Sequence, residues 1–159
     1  MKNKPKSSRR SFLLNVGAAL LVPAMAGTGL RAGDLNALEV VKTPTCGCCG
    51  VWIDMASAAG FDVQVTETTD YAGMKKAAGV PRKLVSCHTA RIGGYVVEGH
   101  VPFSAIRRLL EDRPDIIGIS VPGMPADSPG MGGTIDALVP VIAWGGTAGK
   151  GSPYPFEAN

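Results

Sequence analysis

The segment Leu38-Glu39-Val40-Val41-Lys42-Thr43-Pro44-Thr45-Cys46-Gly47-Cys48-Cys49 runs an apolar stretch through a proline break into three cysteines. Leu38 to Lys42 reads as a short strand, and Thr43-Pro44-Thr45 ends it, because proline fixes its own φ and lacks the N–H a strand ladder needs. Beyond the cysteines, Val51, Trp52, Met55, Ala56 and Ala59 recur at helical spacing. That spacing predicts a helix from about Cys49 to Ala59, with Gly60 placed to end it. The cysteines therefore lie between a first strand and a first helix. A helix N-terminus carries partial positive charge and free N–H groups, which stabilise a thiolate.

Working outward, Phe61-Asp62-Val63-Gln64-Val65 alternates like a strand. Tyr71 to Ala78 reads as a second helix stopped by Gly79, and Val80-Pro81 begins a connection. Cys87 to Ile92 and Tyr95 to His100 read as two strands joined at Gly93-Gly94, a dipeptide suited to tight hairpin turns. Pro102 sits where a helix can begin, and Ile106, Leu109 and Leu110 give that helix an apolar face. The order is β-α-β-α-β-β-α. It predicts an α/β fold of thioredoxin-like arrangement: two parallel strands, then a hairpin, with helices on both faces. After Ser120 glycine and proline recur, in Val121-Pro122-Gly123-Met124-Pro125 and Ser128-Pro129-Gly130-Met131-Gly132-Gly133. This predicts a long Gly/Pro-rich C-terminal loop region, and long loops in compact domains are commonly functional. Ile135 to Trp144 is apolar enough to return to the core as an added strand.

The 159 residues suit one domain. Lys2, Lys4, Lys6, Arg9 and Arg10 form a basic start, followed by a mostly apolar run from Phe12 to Ala26 that ends in Ala24-Met25-Ala26. This is the pattern of a secretory signal, with an apolar run too short to span a bilayer. Ser8-Arg9-Arg10-Ser11-Phe12-Leu13 resembles the twin-arginine export motif; an ordinary signal carrying two arginines is the alternative. The expected organisation is a twin-arginine-type signal peptide over 1–26, a leader over 27–37 and a thioredoxin-like metal-binding domain over 38–159, located in the periplasm. Five of the sixteen basic residues precede Gly27, so eleven remain against thirteen acidic, a net charge of −2. The basic balance belongs to the targeting segment, which argues against nucleic acid as a partner. No second apolar span follows the signal, so no membrane span is expected after its removal.

Cys46, Cys48, Cys49 and Cys87 are the cysteines of the chain. An even count in an oxidising compartment ordinarily means structural disulfides. Three cysteines in four residues cannot staple distant segments, so the spacing points instead to redox chemistry or a soft metal. If Gly93-Gly94 is a two-residue loop, Ile92 faces Tyr95, Cys87 faces His100 and His88 faces Gly99. Opposed residues are neighbours on one face, so Cys87 and His100 should meet, near the cysteine loop, while His88 points to the other face. Thiolate, imidazole and thioether are ligands for soft or borderline metals: thiolate with thioether favours Cu(I), and thiolate with imidazole also suits zinc. Closely spaced thiolates favour bridging and a multinuclear cluster over a structural zinc knuckle. No Ser/His/Asp set, phosphate loop or carboxylate pair near the cysteines supports hydrolysis or phosphoryl transfer.

Thr45-Cys46-Gly47-Cys48-Cys49, Ser86-Cys87-His88-Thr89-Ala90, Val97-Glu98-Gly99-His100-Val101-Pro102, Gly123-Met124-Pro125 and Ser128-Pro129-Gly130-Met131 together resemble the CopG-type periplasmic copper-resistance proteins, formerly a domain of unknown function. The resemblance spans about Leu38 to Phe156. It implies a thioredoxin-like fold, a cysteine-bridged cluster of copper ions and a role interconverting Cu(I) and Cu(II) in copper resistance, which leaves a copper oxidoreductase activity open. It implies Cys46, Cys48, Cys49 and Cys87 as ligands, with His and Met residues completing the site; the hairpin and the loop offer His100, His88, Met124 and Met131 as the candidates, and other periplasmic copper-handling proteins are the expected partners. The residues by themselves keep rival readings. Cys46 and Cys49 have the C-x-x-C spacing of a thiol–disulfide oxidoreductase, against which Cys48 weighs as a competing thiol. A copper carrier handing metal to a partner is a third class. Cys87 could be an inert buried thiol, His88 a hydrogen-bonded surface residue, and Met124 and Met131 loop packing. Met55 and Met74 read as helix core residues, and Trp52 as packing beside the site and limiting water access.

Overall fold

The computed structural model of the chain describes residues 36–157. The expected signal peptide, its twin-arginine motif and nearly all of the leader lie outside the described residues. The elements are β1 (Ala37–Lys42), α1 (Gly47–Ala58), β2 (Asp62–Glu67), α2 (Tyr71–Ala77), β3 (Thr89–Ile92), β4 (Tyr95–Glu98), α3 (Phe103–Asp112), β5 (Gly118–Ser120), β6 (Ile142–Trp144) and β7 (Ser152–Pro153).

One sheet runs in the order β2-β1-β3-β4-β5-β6-β7. β1 pairs with β2 in parallel and with β3 antiparallel, and β3 and β4 form the hairpin. This is the α/β arrangement expected from the element order. The register is also as expected, Ile92 opposite Tyr95 and Thr89 opposite Glu98. Gly93 and Gly94 both adopt positive φ, +55° and +90°, which residues with a Cβ rarely tolerate and which a tight hairpin turn needs.

Alternation along the strands divides the side chains between two faces. Leu38, Val40, Ala90, Ile92, Val97 and Ile119 pack with Trp52 and Ala56 of α1 and with Phe103, Ile106 and Leu109 of α3. Val96 and Trp144 pack on the opposite face with Ala78, at the end of α2, and Leu84. Helices thus cover both faces. Burying a side chain such as Leu, Ile or Phe contributes roughly 1.5–3 kcal/mol, so the core stands on its own apolar packing rather than on the cysteine loop. Met55 packs against this core, as expected, and Met74 is half-buried.

The structure departs from the expected strands in three places. β3 and β4 end two residues short of Cys87 and His100, because Gly99 takes φ +75° and turns the chain out of the ladder. Only Ile142–Trp144 of the apolar run from Ile135 forms a strand; Ile135 and Leu138 are exposed. β5 and β7 were not legible, being only three and two residues long. Residues 121–141 between β5 and β6 form the long loop that the glycines and prolines predict. Among the described residues no helix is long and apolar enough to cross a membrane.

Candidate metal centre

Thr43-Pro44-Thr45 forms the predicted break after β1. The Cys46 N–H donates to the Thr43 carbonyl at 3.1 Å, and Cys46 becomes the residue before α1. Cys48 and Cys49 occupy the first turn of that helix. The end of the hairpin brings Cys87 against them: the four sulfurs of Cys46, Cys48, Cys49 and Cys87 lie within 4.8 Å of one another.

Cys46 and Cys49 are joined as a disulfide, with Cα atoms 5.4 Å apart, while Cys48 and Cys87 are free thiols. The bond is local and has the C-x-x-C spacing noted in the sequence. Such a bond cannot staple distant segments, but residues three apart at a helix start lie on one side of the first turn and close a local ring. The Sγ of Cys48 lies 3.7 Å from that of Cys46.

Cys87 also belongs to a second donor group, with His88 and His100. Its Sγ lies 2.9 Å from His100 Nε2 and 3.2 Å from His88 Nδ1. The meeting of Cys87 and His100 that the hairpin register predicts is present, although the ladder has ended before it. His88 lies on the sheet face of Ala90 and Ile92, as alternation from Cys87 expects, and the alternative of a surface residue is corrected. His88 is fully buried, its ring centroid 4.5 Å from that of Trp52 on the α1 face. Its Nδ1 nevertheless reaches back to Cys87 at the end of the strand. Trp52 is buried against the His88 ring, beside the site as expected, anchored by its indole N–H to the Val101 carbonyl at 3.0 Å.

The nitrogens are poised differently. His100 Nδ1 lies 2.6 Å from the Pro129 carbonyl. A carbonyl only accepts, so Nδ1 carries the proton and Nε2 presents a lone pair towards Cys87. A backbone carbonyl that fixes the tautomer in this way is the usual support of a metal-binding imidazole. His88 Nε2 is buried with no hydrogen-bond partner. Burial holds the His88 pKa well below its ordinary value, helped by His100 and Lys75. Burial likewise lowers His100, against the opposing pull of the Pro129 hydrogen bond. Both rings are therefore neutral donors at neutral pH. The Cys87 thiol is pushed up to about 12, first by burial and then by the neighbouring Cys48. Without a cation it stays protonated. Thiolates and neutral imidazoles in one cluster fit a soft or borderline ion such as copper, and an ion would supply the charge that makes the Cys87 thiolate tolerable.

The loop residues divide. Met124 is 54% exposed and lines a cavity of about 300 Å³ with Cys46, Cys87 and Tyr71, at the mouth of the cluster. Met131 is half-buried and does not line that cavity. The loop's closest approach is instead through its backbone. A Cβ on Gly130 would stand 2.9 Å from the Trp52 N, 3.1 Å from the Cys48 carbonyl oxygen and 3.1 Å from His100 Nδ1. A larger groove of about 650 Å³, between Leu138–Ile142 and Pro153–Phe156, contains none of the candidate donors. The sequence reading missed the Pro129 carbonyl, and it missed Lys75 and Glu98, which are buried together beneath Cys87. A lone glutamate ending the apolar strand Tyr95-Val96-Val97 is the signal that could have drawn attention to Glu98.

The family described as a protein of unknown function, DUF411, matches residues 84–131, from Leu84 through Cys87 and both histidines to Met131. The chain is similar to two solved structures of a copper resistance protein CopG. Form 1 is 37% identical with a TM-score of 0.67, covering 77% of this chain and 98% of that one. Form 2 is 39% identical with a TM-score of 0.65, covering 75% and 98%. No curated protein matches the chain.

Proposed function

The chain belongs to the CopG family of copper-resistance proteins, and from that premise we propose that it is an exported, periplasmic copper-binding protein holding a cysteine-bridged cluster of more than one copper ion. The observation that carries this reading is the sharing of Cys87 between two donor groups, the four sulfurs within 4.8 Å and the two buried imidazoles. A thiolate in that position can touch two ions at once. Bound copper would supply one-electron chemistry between Cu(I) and Cu(II). Cys46, Cys48, Cys49 and Cys87 would hold it with His88 and His100. Trp52 excludes water from the imidazole side, and the Pro129 carbonyl orients His100. Met124, exposed at the cavity mouth, supports exchange of copper with other periplasmic copper-handling proteins.

The reading requires reduced thiols at Cys46 and Cys49. Its test is anaerobic titration of the reduced, metal-free protein with Cu(I), alongside a thiol count and metal analysis. More than one copper per chain is the expected result; a protein that retains none against a weak chelator ends the proposal.

The Cys46–Cys49 disulfide favours a second reading, a thiol–disulfide oxidoreductase. Cys48, 3.7 Å from Cys46, argues against it as a competing thiol within the same turn. Negligible insulin reduction by the metal-free protein is expected, and robust turnover would reverse the ranking of the two readings.

A further inference from the structure

Cys87 is placed by the residue before it. The Ser86 N–H donates to Glu98 Oε1 at 2.6 Å, and the Tyr71 hydroxyl donates to the Ser86 carbonyl at 2.6 Å. The Ser86 hydroxyl donates to the Gly123 carbonyl, and the Gly123 N–H donates to the Val85 carbonyl at 3.3 Å. Both backbone polar groups of Ser86 are thus held immediately before the chain turns Cys87 towards His100.

Glu98 is fully buried and its partners are all used. Oε1 accepts from Lys75 Nζ at 2.7 Å as well as from Ser86, and Oε2 accepts from the Thr89 hydroxyl at 2.7 Å. Lys75, also buried, donates a second hydrogen bond to Thr89 Oγ1 at 3.0 Å. An ion pair is a costly way to fill a core, because desolvating two charges offsets most of their attraction. Well-packed apolar residues often serve stability as well or better. An apolar side chain at position 98 could not, however, accept the Ser86 N–H, and a buried amide without a partner is expensive. Lys75 in turn makes a buried carboxylate tolerable there.

We infer that Glu98, held by Lys75, is a positioning residue that fixes Ser86 and thereby sets Cys87 Sγ against His100 Nε2 in the copper site. The inference rests on the copper reading for its purpose, while the placement of Cys87 can be observed without metal.

Two double variants separate positioning from folding. Lys75→Met/Glu98→Gln removes both charges but keeps an acceptor for the Ser86 N–H; Lys75→Met/Glu98→Leu removes the acceptor as well. Circular dichroism checks folding. Nuclear Overhauser contacts between the Cys87 β protons and the His100 ring, in reduced metal-free protein, report the placement. Competition for Cu(I) against a chelator reports affinity. The glutamine variant should keep the contact and stay within about threefold of the parent in affinity, whereas the leucine variant should lose the contact and bind about 10–100-fold more weakly. A folded leucine variant with the contact intact, or with unchanged affinity, overturns the inference. If the leucine variant does not fold, Tyr71→Phe takes its place. It removes only the hydroxyl bonded to the Ser86 carbonyl and should weaken binding several-fold at an unchanged melting temperature; unchanged affinity there also overturns the inference. A parent that binds no copper defeats the copper reading and, with it, the purpose assigned to Glu98. The Overhauser contacts still show whether Glu98 places Cys87, so the two failures are told apart.

Discussion

His100 Nε2 stands 2.9 Å from Cys87 Sγ, while the other nitrogen of the same ring lies 2.6 Å from the Pro129 carbonyl. One imidazole thus ties the end of the hairpin to the Gly/Pro-rich loop, with its lone pair aimed at the thiol that both donor groups share.

Cys87→Ser should strip or reorganise the bound copper, because it removes the sulfur common to both donor groups. His100→Ala should weaken binding less, since an imidazole serves one ion and a bridging thiolate two. Losing even an outer-shell partner of a ligand typically costs about 10–100-fold in affinity, so loss of either donor should cost at least that. Neither change should unfold the protein, whose core is the apolar packing of α1 and α3 on the sheet. Copper titration of each variant, with circular dichroism, checks both statements. Unchanged stoichiometry and affinity in Cys87→Ser would remove Cys87 from the site.

Copper binding should release protons at neutral pH. Burial and Cys48 push the Cys87 thiol up to about 12, so in the metal-free protein it is protonated and must ionise to bind. The two imidazoles, whose pKa values burial lowers, are already neutral and release none. Apparent affinity should therefore rise as pH rises through the neutral range, by about tenfold per pH unit for each proton displaced. Titrations at several pH values, or calorimetry in buffers of different ionisation enthalpy, measure this. A pH-independent affinity would mean that no thiol proton is displaced.

Gly99→Ala should destabilise the fold and disturb the site together. Gly99 has φ +75°, and a Cβ there would collide with the Ser86 side chain and come 2.9 Å from the Val121 carbonyl oxygen. Forcing a residue with a Cβ into that region costs about 1–3 kcal/mol. The melting temperature should fall, and copper affinity should fall with it because Ser86 precedes Cys87. A variant with the parental melting temperature would show that the turn is not constrained as described.

Export should depend on Arg9 and Arg10. Replacing both with Lys should leave the protein in the cytoplasm, and the exported parent should begin near Gly27, after Ala24-Met25-Ala26. N-terminal sequencing of the periplasmic fraction decides the cleavage site. Normal export of the Lys variant would replace the twin-arginine route with an ordinary signal.

What depends on near neighbours is legible in the chain before it folds. The apolar spacing from Val51 to Ala59 specifies α1, Thr43-Pro44-Thr45 ends β1, and Gly93-Gly94 sets the hairpin register from which the meeting of Cys87 and His100 follows. Each is a short-range preference of φ, ψ or periodicity, and each is present in the structure. Contacts between distant residues become visible only in the folded chain. The Pro129 carbonyl reaches His100 across 29 positions, and Lys75 reaches Glu98 across 23. No local pattern announces either contact, because a carbonyl belongs to every residue, and a buried charge is recognisable only once its partner is known. The contact of His88 Nδ1 with Cys87 is of the same kind. Alternation predicts a face only while the ladder lasts, and the left-handed turn at Gly99 ends it before the residues that matter to the site.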